Sequence, residues 1–188
     1  MILFPPLFIL RHGETEWNAQ NRLQGHHDSA LTAVGKSQAQ QQHEILKTRD
    51  LTGFMALTSP QGRAFHTASI ALEGLVDGIE TDTRLREIGV GEWAGAIRED
   101  VMKLAPDAKD TFDLYEFAPG GEGFAALRTR CTAFLETLDC PAVLVTHGIT
   151  SRMLRLIVLD LPTENLRDLP GGQGVVFHLE GGLQNRLI

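Results

Sequence analysis

Three short apolar segments, each running into polar residues capable of chemistry and then into a helical stretch, constrain the fold of this 188-residue chain most. Leu7-Phe8-Ile9-Leu10 leads into Arg11-His12-Gly13, residues 54–58 lead into Ser59-Pro60 and Arg63, and residues 142–146 lead into His147-Gly148. Apolar runs of four or five residues fit strands buried on both faces, as in a parallel sheet. Helical patterns of ten or more residues lie between them, so the predicted fold is α/β, a three-layer α/β/α sandwich with a mostly parallel central sheet. In such sheets ligands gather beyond the C-terminal ends of the strands, which is where all three polar groups fall.

The remaining pattern fills in around this frame. Residues 14–30, with Gly25 and Asp28, read as an ordered loop. Thr32 is a natural N-cap for a helix to about Arg49, with Ala39, Ile45 and Leu46 facing inward. Helices are expected over 62–72 and 148–159, and short ones between 96 and 117. Residues 79–87 read as weakly extended. Phe124, Leu127, Cys131, Phe134, Leu135 and Leu138 recur at helical spacing over 122–138. After Pro170-Gly171-Gly172, a strand over 175–179 can pair with 183–188. The expectation is a single domain over 1–188, with 96–120 as a small cap over the pocket.

Charge narrows the partners. With 17 basic and 24 acidic residues the net charge is −7, which disfavours a general nucleic-acid or anionic-membrane binder. Thirteen of the 17 bases are arginine, the side chain suited to forked recognition of phosphate or carboxylate. Cys131 and Cys140 are too few for a disulfide framework and lack metal-ligand spacing. The apolar start MILFPPLFIL is interrupted by Pro5 and Pro6, has no basic lead or cleavage site, and is too short to span a bilayer. A cytoplasmic protein is expected. Oligomeric state stays open, a homodimer included.

Convergence of the three strand ends would gather two guanidiniums, Arg11 and Arg63, and two imidazoles, His12 and His147. Such groups repel one another unless a multiply charged anion sits between them, and a phosphoryl group fits. Gly13 and Gly148 allow close backbone approach. Nearby guanidiniums disfavour an imidazolium, so a histidine there keeps a neutral, nucleophilic nitrogen. Attack on phosphorus makes a phosphohistidine, and the leaving alkoxide then needs a proton. Glu87, Glu14 and Glu92 are candidates to supply it.

Arg11-His12-Gly13-Glu14-Thr15 with Trp17-Asn18, Gly25, Asp28 and Leu31-Thr32 resembles the opening block of the histidine phosphatase (phosphoglycerate mutase-like) superfamily. Ser59-Pro60 with Arg63-Ala64 and Thr67-Ala68, Leu85-Arg86-Glu87-Ile88 with Gly91, Trp93 and Gly95, and Val143-Leu144-Val145-Thr146-His147-Gly148 agree with its later blocks in order and spacing. The resemblance spans about residues 7–179. It implies that His12 is the phosphorylated nucleophile, oriented through the Gly13 carbonyl, and that Arg11, Arg63 and His147 bind the phosphoryl group with help from Asn18. Glu87 is implied as proton donor and later base, and Thr15, Gln24, Gly25 and Gly148 as substrate or phosphate contacts. It also implies no metal and no cofactor.

Other readings of single residues are weaker. His26-His27-Asp28 suggests a metal site, but adjacent loop residues seldom aim at one ion. Whether His26 or His27 contacts substrate is open. Trp17 and Trp93 read as packing residues, although Trp93 is close enough to Glu87 to line the pocket. Phe112, Tyr115 and Phe117 can pack on a substrate ring or on one another, and packing on one another is the favoured reading. Residues 96–120 are short and mixed in charge, with Arg98, Lys103 and Lys109 the only bases, and 180–188 are too short for a closing lid. Both features favour a phosphatase over a mutase. A non-catalytic phospho-ligand binding module and a scaffold are the alternatives outside catalysis. The substrate is expected to be a small phosphorylated metabolite.

Overall fold

A computed structural model of the chain describes residues 4–188, so the first three residues of the apolar N-terminal run lie outside it. The three apolar segments become β1 (Leu7–Arg11), β2 (Met55–Thr58) and β4 (Ala142–Thr146). Two-residue β3 (Glu80–Thr81), β5 (Val176–Glu180) and β6 (Leu183–Leu187) complete one six-stranded sheet in the order β3-β2-β4-β1-β5-β6. Pairing among β1 to β4 is parallel, while β5 runs antiparallel to both β1 and β6.

The pleat sends alternate side chains of the central strands to opposite faces. Leu7, Ile9 and Leu144 meet Leu127, Cys131 and Phe134 of α6 (Gly123–Leu135) and Met153 and Leu154 of α7 (Gly148–Val158). Phe8, Leu10, Val143 and Val145 meet Leu46 of α2 (Ala33–Leu46) and Ala68 and Ala71 of α3 (Gly62–Ala71). Burial on both faces explains why these strands read as unbroken apolar runs.

Two stretches differ from expectation. The loop over 14–30 contains a single helical turn, α1 (Glu16–Ala19), because Thr15 and Asn18 form a reciprocal capping box. The stretch expected to be extended over 79–87 closes after β3 into a tight turn at Thr83–Leu85, capped by Asp82, whose carboxylate accepts from the Arg84 backbone N–H at 2.7 Å. Within 96–120, α4 (Arg98–Leu104) and α5 (Leu114–Phe117) pack Val101, Ala105 and Leu114 against Leu23, Val90 and Trp93. Trp93 is therefore a packing residue in this small side core. Phe112 and Tyr115 pack on Phe124 and the larger core, whereas Phe117 is exposed.

No helix among the described residues is long and apolar enough to cross a membrane.

Candidate active site

Strand order builds the site. The C-terminal ends of β1, β4 and β2 lie side by side, with Arg11 opposite Thr146 and Thr58 opposite Val145. The His12 backbone N–H continues the pairing onto the Thr146 carbonyl at 2.9 Å, and the Ser59 N–H onto the Val145 carbonyl at 3.0 Å. His12, Ser59 and His147 thus leave three adjacent strands at one level.

Polar residues of the flanking helices clamp the loop after β1. Gly13 donates to Thr67 Oγ1 of α3 at 3.1 Å, and Gln42 of α2 donates to the Arg11 carbonyl at 3.0 Å. A Cβ on Gly13 would fall on the Gly35 carbonyl oxygen, so this glycine is required by backbone approach. At Gly148 a Cβ would sit in ordinary contact, 3.4 Å from the Arg11 guanidinium and 3.6 Å from Glu87 Oε2. Gly148 therefore faces the space between those two groups.

The histidine geometry fixes a protonation pattern. His12 Nδ1 lies 2.7 Å from the Gly13 carbonyl, which can only accept, so Nδ1 carries the proton and Nε2 presents a lone pair. Arg63 Nε donates to that nitrogen at 3.2 Å. Arg63 is itself locked. Its Nη1 donates to the His27 carbonyl at 2.6 Å and to Asp28 Oδ1 at 3.0 Å, and its Nη2 donates to the Gly25 carbonyl at 3.0 Å. His147 is fully buried, its ring 5.1 Å from that of His12, with Nε2 2.8 Å from the Ser59 hydroxyl. Two buried polar atoms here, His147 Nδ1 and Arg11 Nε, have no partner among the described residues. Unpaired buried polar atoms are costly, and an anion bound against them would satisfy both.

Glu87 lies against the first turn of α7. Its Oε1 accepts from the Ile88 N–H at 3.0 Å and from the Thr150 N–H and hydroxyl, each at 3.1 Å, and its Oε2 accepts from the Ile149 N–H at 3.3 Å. Of the other acids considered, Glu14 is bound to the Thr32 hydroxyl at 2.8 Å and Glu92 is exposed.

The other expected contacts divide. Asn18 Oδ1 accepts from the Thr15 N–H at 3.2 Å, leaving its amide N–H groups for a ligand. Thr15 and Gln24 are engaged within the loop, because Gln24 Nε2 donates to Thr15 Oγ1 at 2.8 Å while its Oε1 accepts from Ser29 at 3.1 Å. A substrate contact from either would come at the expense of that network. Gly25 adopts φ +53°, and a Cβ there would collide with Val90. His26 and His27 are exposed and line a cavity of about 350 Å³ with Gly89–Gly91, Ala94 and Gly120–Glu122, outside the cluster around His12. Among the described residues no three His, Cys, Asp or Glu side chains gather as a metal site.

Sequence reasoning assigned no role to Gln61, Thr150 or Gln173. Gln61 and Thr150 sit within two or three residues of recognised blocks, a signal that could have found them. Gln173 donates to the His12 carbonyl at 3.3 Å from 161 positions away, and nothing local announces it.

A family model described as the histidine phosphatase superfamily, branch 1, matches residues 7–185. The chain belongs to this superfamily. A Klebsiella pneumoniae protein named as a probable phosphoglycerate mutase, GpmB, is 35% identical over 172 residues, covering 83% of this chain and 75% of the relative. The mycobacterial glucosyl-3-phosphoglycerate phosphatase, solved with VO3, has a TM-score of 0.78 at 32% identity, covering 97% of this chain and 96% of that one. The α-ribazole phosphatase of Shigella flexneri has a TM-score of 0.80 at 27% identity, covering 96% and 93%. This histidine phosphatase superfamily chain is accordingly of the phosphatase or mutase kind.

Electrostatics in this superfamily member favour neutral rings. Burial is the largest cause holding His12 well below the ordinary histidine value of 6.5, followed by Arg63 and Arg11, with the Gly13 bond opposing. His147 is lowered by burial, Arg63, His12 and Arg11. The unfolded chain therefore takes up protons first on acidification. The histidine contribution to stability is complete above 6.5 and is lost as pH falls below it, at up to about 1.4 kcal/mol per pH unit for each ring. Calorimetry from about pH 7 to about pH 5 should show Tm falling, with a shallower slope in His147→Gln. A flat Tm would mean that both rings take up protons as readily in the fold as in the unfolded chain.

Proposed function

We propose that the chain is a phosphate monoester hydrolase that passes through a phosphohistidine and acts on a small phosphorylated metabolite. The observation that carries this is the nearness, at adjacent strand ends, of His12 Nε2 to the Arg63 guanidinium and to the His147 ring, whose Nδ1 has no partner among the described residues, with the buried Arg11 guanidinium acting on both rings. In this reading Nε2 attacks phosphorus in line, and the bond from phosphorus to the ester oxygen breaks. Arg11, Arg63 and His147 hold the equatorial oxygens, with Asn18 assisting. Glu87 gives a proton to the leaving oxygen and later takes one from the water that displaces Nε2 from phosphorus. Charge is balanced by arginine, so the reading includes independence of metal.

The 96–120 segment is read as a cap beside the mouth. Arg98 and Tyr115 are close enough to act electrostatically on Arg11, and the Arg98 guanidinium donates to the Tyr115 hydroxyl at 2.6 Å. Hydrolysis is favoured over mutase chemistry by the engagement of two cap bases within the cap, Arg98 with Tyr115 and Lys103 with Asp100 at 2.8 Å. Residues 183–187 are also committed to the sheet rather than to the pocket. The name of the Klebsiella relative favours the second reading, phosphoryl transfer of the phosphoglycerate mutase type.

The test is phosphate release, in EDTA, from p-nitrophenyl phosphate, 3-phosphoglycerate, phosphoserine and sugar phosphates. Metal-independent release is expected. Isomerisation of 3-phosphoglycerate with a bisphosphorylated primer, and no release, would select the mutase. Binding without either would select a binding module. Glu87→Gln should slow alkyl phosphates at least about tenfold more than p-nitrophenyl phosphate, whose leaving group needs little protonation. Equal losses on both, with a lowered Tm, would reduce Glu87 to a cap of α7.

A further inference from the structure

A neutral imidazole carries one proton on two nitrogens. Which nitrogen of His147 holds it decides whether the pocket gains a donor or a second bare lone pair. Nδ1 is buried without a partner among the described residues, and Nε2 lies 2.8 Å from the Ser59 hydroxyl.

The surroundings of Ser59 settle the direction of that bond. Its oxygen accepts the Gln61 backbone N–H at 3.3 Å. Its one hydrogen then has two candidate acceptors, His147 Nε2 at 2.8 Å and Gln61 Oε1 at 3.5 Å. The second lies at the limit of a hydrogen bond and already accepts the Glu87 backbone N–H at 2.8 Å. The Gln61 amide cannot be reversed, because its Nε2 donates to the Gly25 carbonyl at 2.9 Å. Turning it would set nitrogen against N–H and oxygen against carbonyl.

We propose that Ser59, oriented by Gln61, donates its hydroxyl hydrogen to His147 Nε2 and so holds the neutral ring as the Nδ1–H tautomer, an uncharged donor aimed at the phosphoryl group. Ser59 and Gln61 are positioning residues that act through His147. An imidazolium would supply the same donor, but it would add a third positive charge beside Arg11 and Arg63 in a buried space. A neutral ring with its proton on Nδ1 avoids that charge and still reaches a phosphoryl oxygen. The Nε2–H tautomer would present a lone pair to an anion. Through Gln61 the backbone of Glu87 and the Gly25 carbonyl are tied to the same node. The catalytic part of the proposal rests on the phosphohistidine reading, whereas the tautomer does not.

Heteronuclear NMR of labelled imidazole nitrogens in the free wild-type protein, above neutral pH, reads the tautomer directly. The expected result is a proton on His147 Nδ1 and an accepting Nε2; a proton on Nε2 would overturn the proposal. Ser59→Ala should shift the ring toward Nε2–H, and Ser59→Thr should restore Nδ1–H. In turnover, Ser59→Ala should lower kcat about a hundredfold, the scale of one lost transition-state donor, with a smaller change in KM and recovery in Ser59→Thr. In a His147→Ala background, Ser59→Ala should cost nothing further, and additive losses would overturn the coupling. Should Ser59→Ala fail to fold, the wild-type spectrum alone decides. An active His12→Ala protein that retains the Nδ1–H spectrum would instead sink the phosphohistidine reading and leave the tautomer standing.

Discussion

His12→Ala is expected to lower turnover of p-nitrophenyl phosphate by at least about ten-thousand-fold while leaving the fold intact, because the variant removes the atom that would carry phosphorus. The structural cost should be small. The ring's hydrogen bonds are to the Gly13 carbonyl and Arg63 Nε, and Arg63 keeps its bonds to Gly25, His27 and Asp28 without it. Loss of activity with unchanged circular dichroism is therefore the informative outcome. The wild-type protein, quenched during turnover of labelled substrate, should retain covalent phosphate that survives alkali and is lost in acid, as a phosphoramidate bond does. No such label should form on His12→Ala. Substantial activity in the variant would remove His12 from the nucleophile's role, and the second imidazole, His147, would be the next to test.

Arg155→Ala is expected to produce the largest loss of stability, although Arg155 has no part in the proposed chemistry. The side chain is fully buried on α7 with no carboxylate partner among the described residues. Its guanidinium instead lies 3.8 Å from the centre of the Phe177 ring and donates to the Pro170 carbonyl at 2.7 Å, to Gln184 Oε1 at 3.0 Å and to the Ser151 carbonyl at 3.2 Å. These bonds join α7 to the turn before β5 and to β6. Truncation opens a cavity and strands the Pro170 carbonyl, at a cost of about 3 kcal/mol. For a chain of this size that lowers Tm by roughly 6–12 °C. Desolvation of an unpaired cation acts in the opposite direction, so Arg155→Met, which keeps much of the volume, should lose far less than alanine. A smaller loss in alanine than in methionine would show that burying the charge dominates.

Legibility in the sequence followed the range of the interactions. Unbroken apolar runs identified β1, β2 and β4, and Thr32 marked the start of α2, since a strand's two-faced burial and a helix cap are both local features. The residues the structure brings together were legible as well, because Arg11, His12 and His147 stand at or just past strand ends, and Arg63 and Glu87 lie within the sequence blocks that follow Ser59-Pro60 and Leu85-Arg86. α1 was missed because its signal is a reciprocal box between Thr15 and Asn18 inside a polar stretch with no apolar period. The turn at Thr83–Leu85 was missed because its bonds, several of them to the Asp82 side chain, leave no periodic apolar signal.

The sequence by itself determined which apolar runs become the central strands and which chemical groups stand at their ends. Only the tertiary structure decided that β4 lies between β1 and β2, which brings His147 between His12 and Ser59. It alone turned Thr15 and Gln24 toward each other, set Glu87 against α7, and made Gln61 a node joining Ser59, Glu87 and Gly25. The physical reason is that strand order and buried polar networks arise from contacts between residues tens to more than a hundred positions apart. A periodicity of two or 3.6 residues records which face a side chain takes, not which neighbour it meets there.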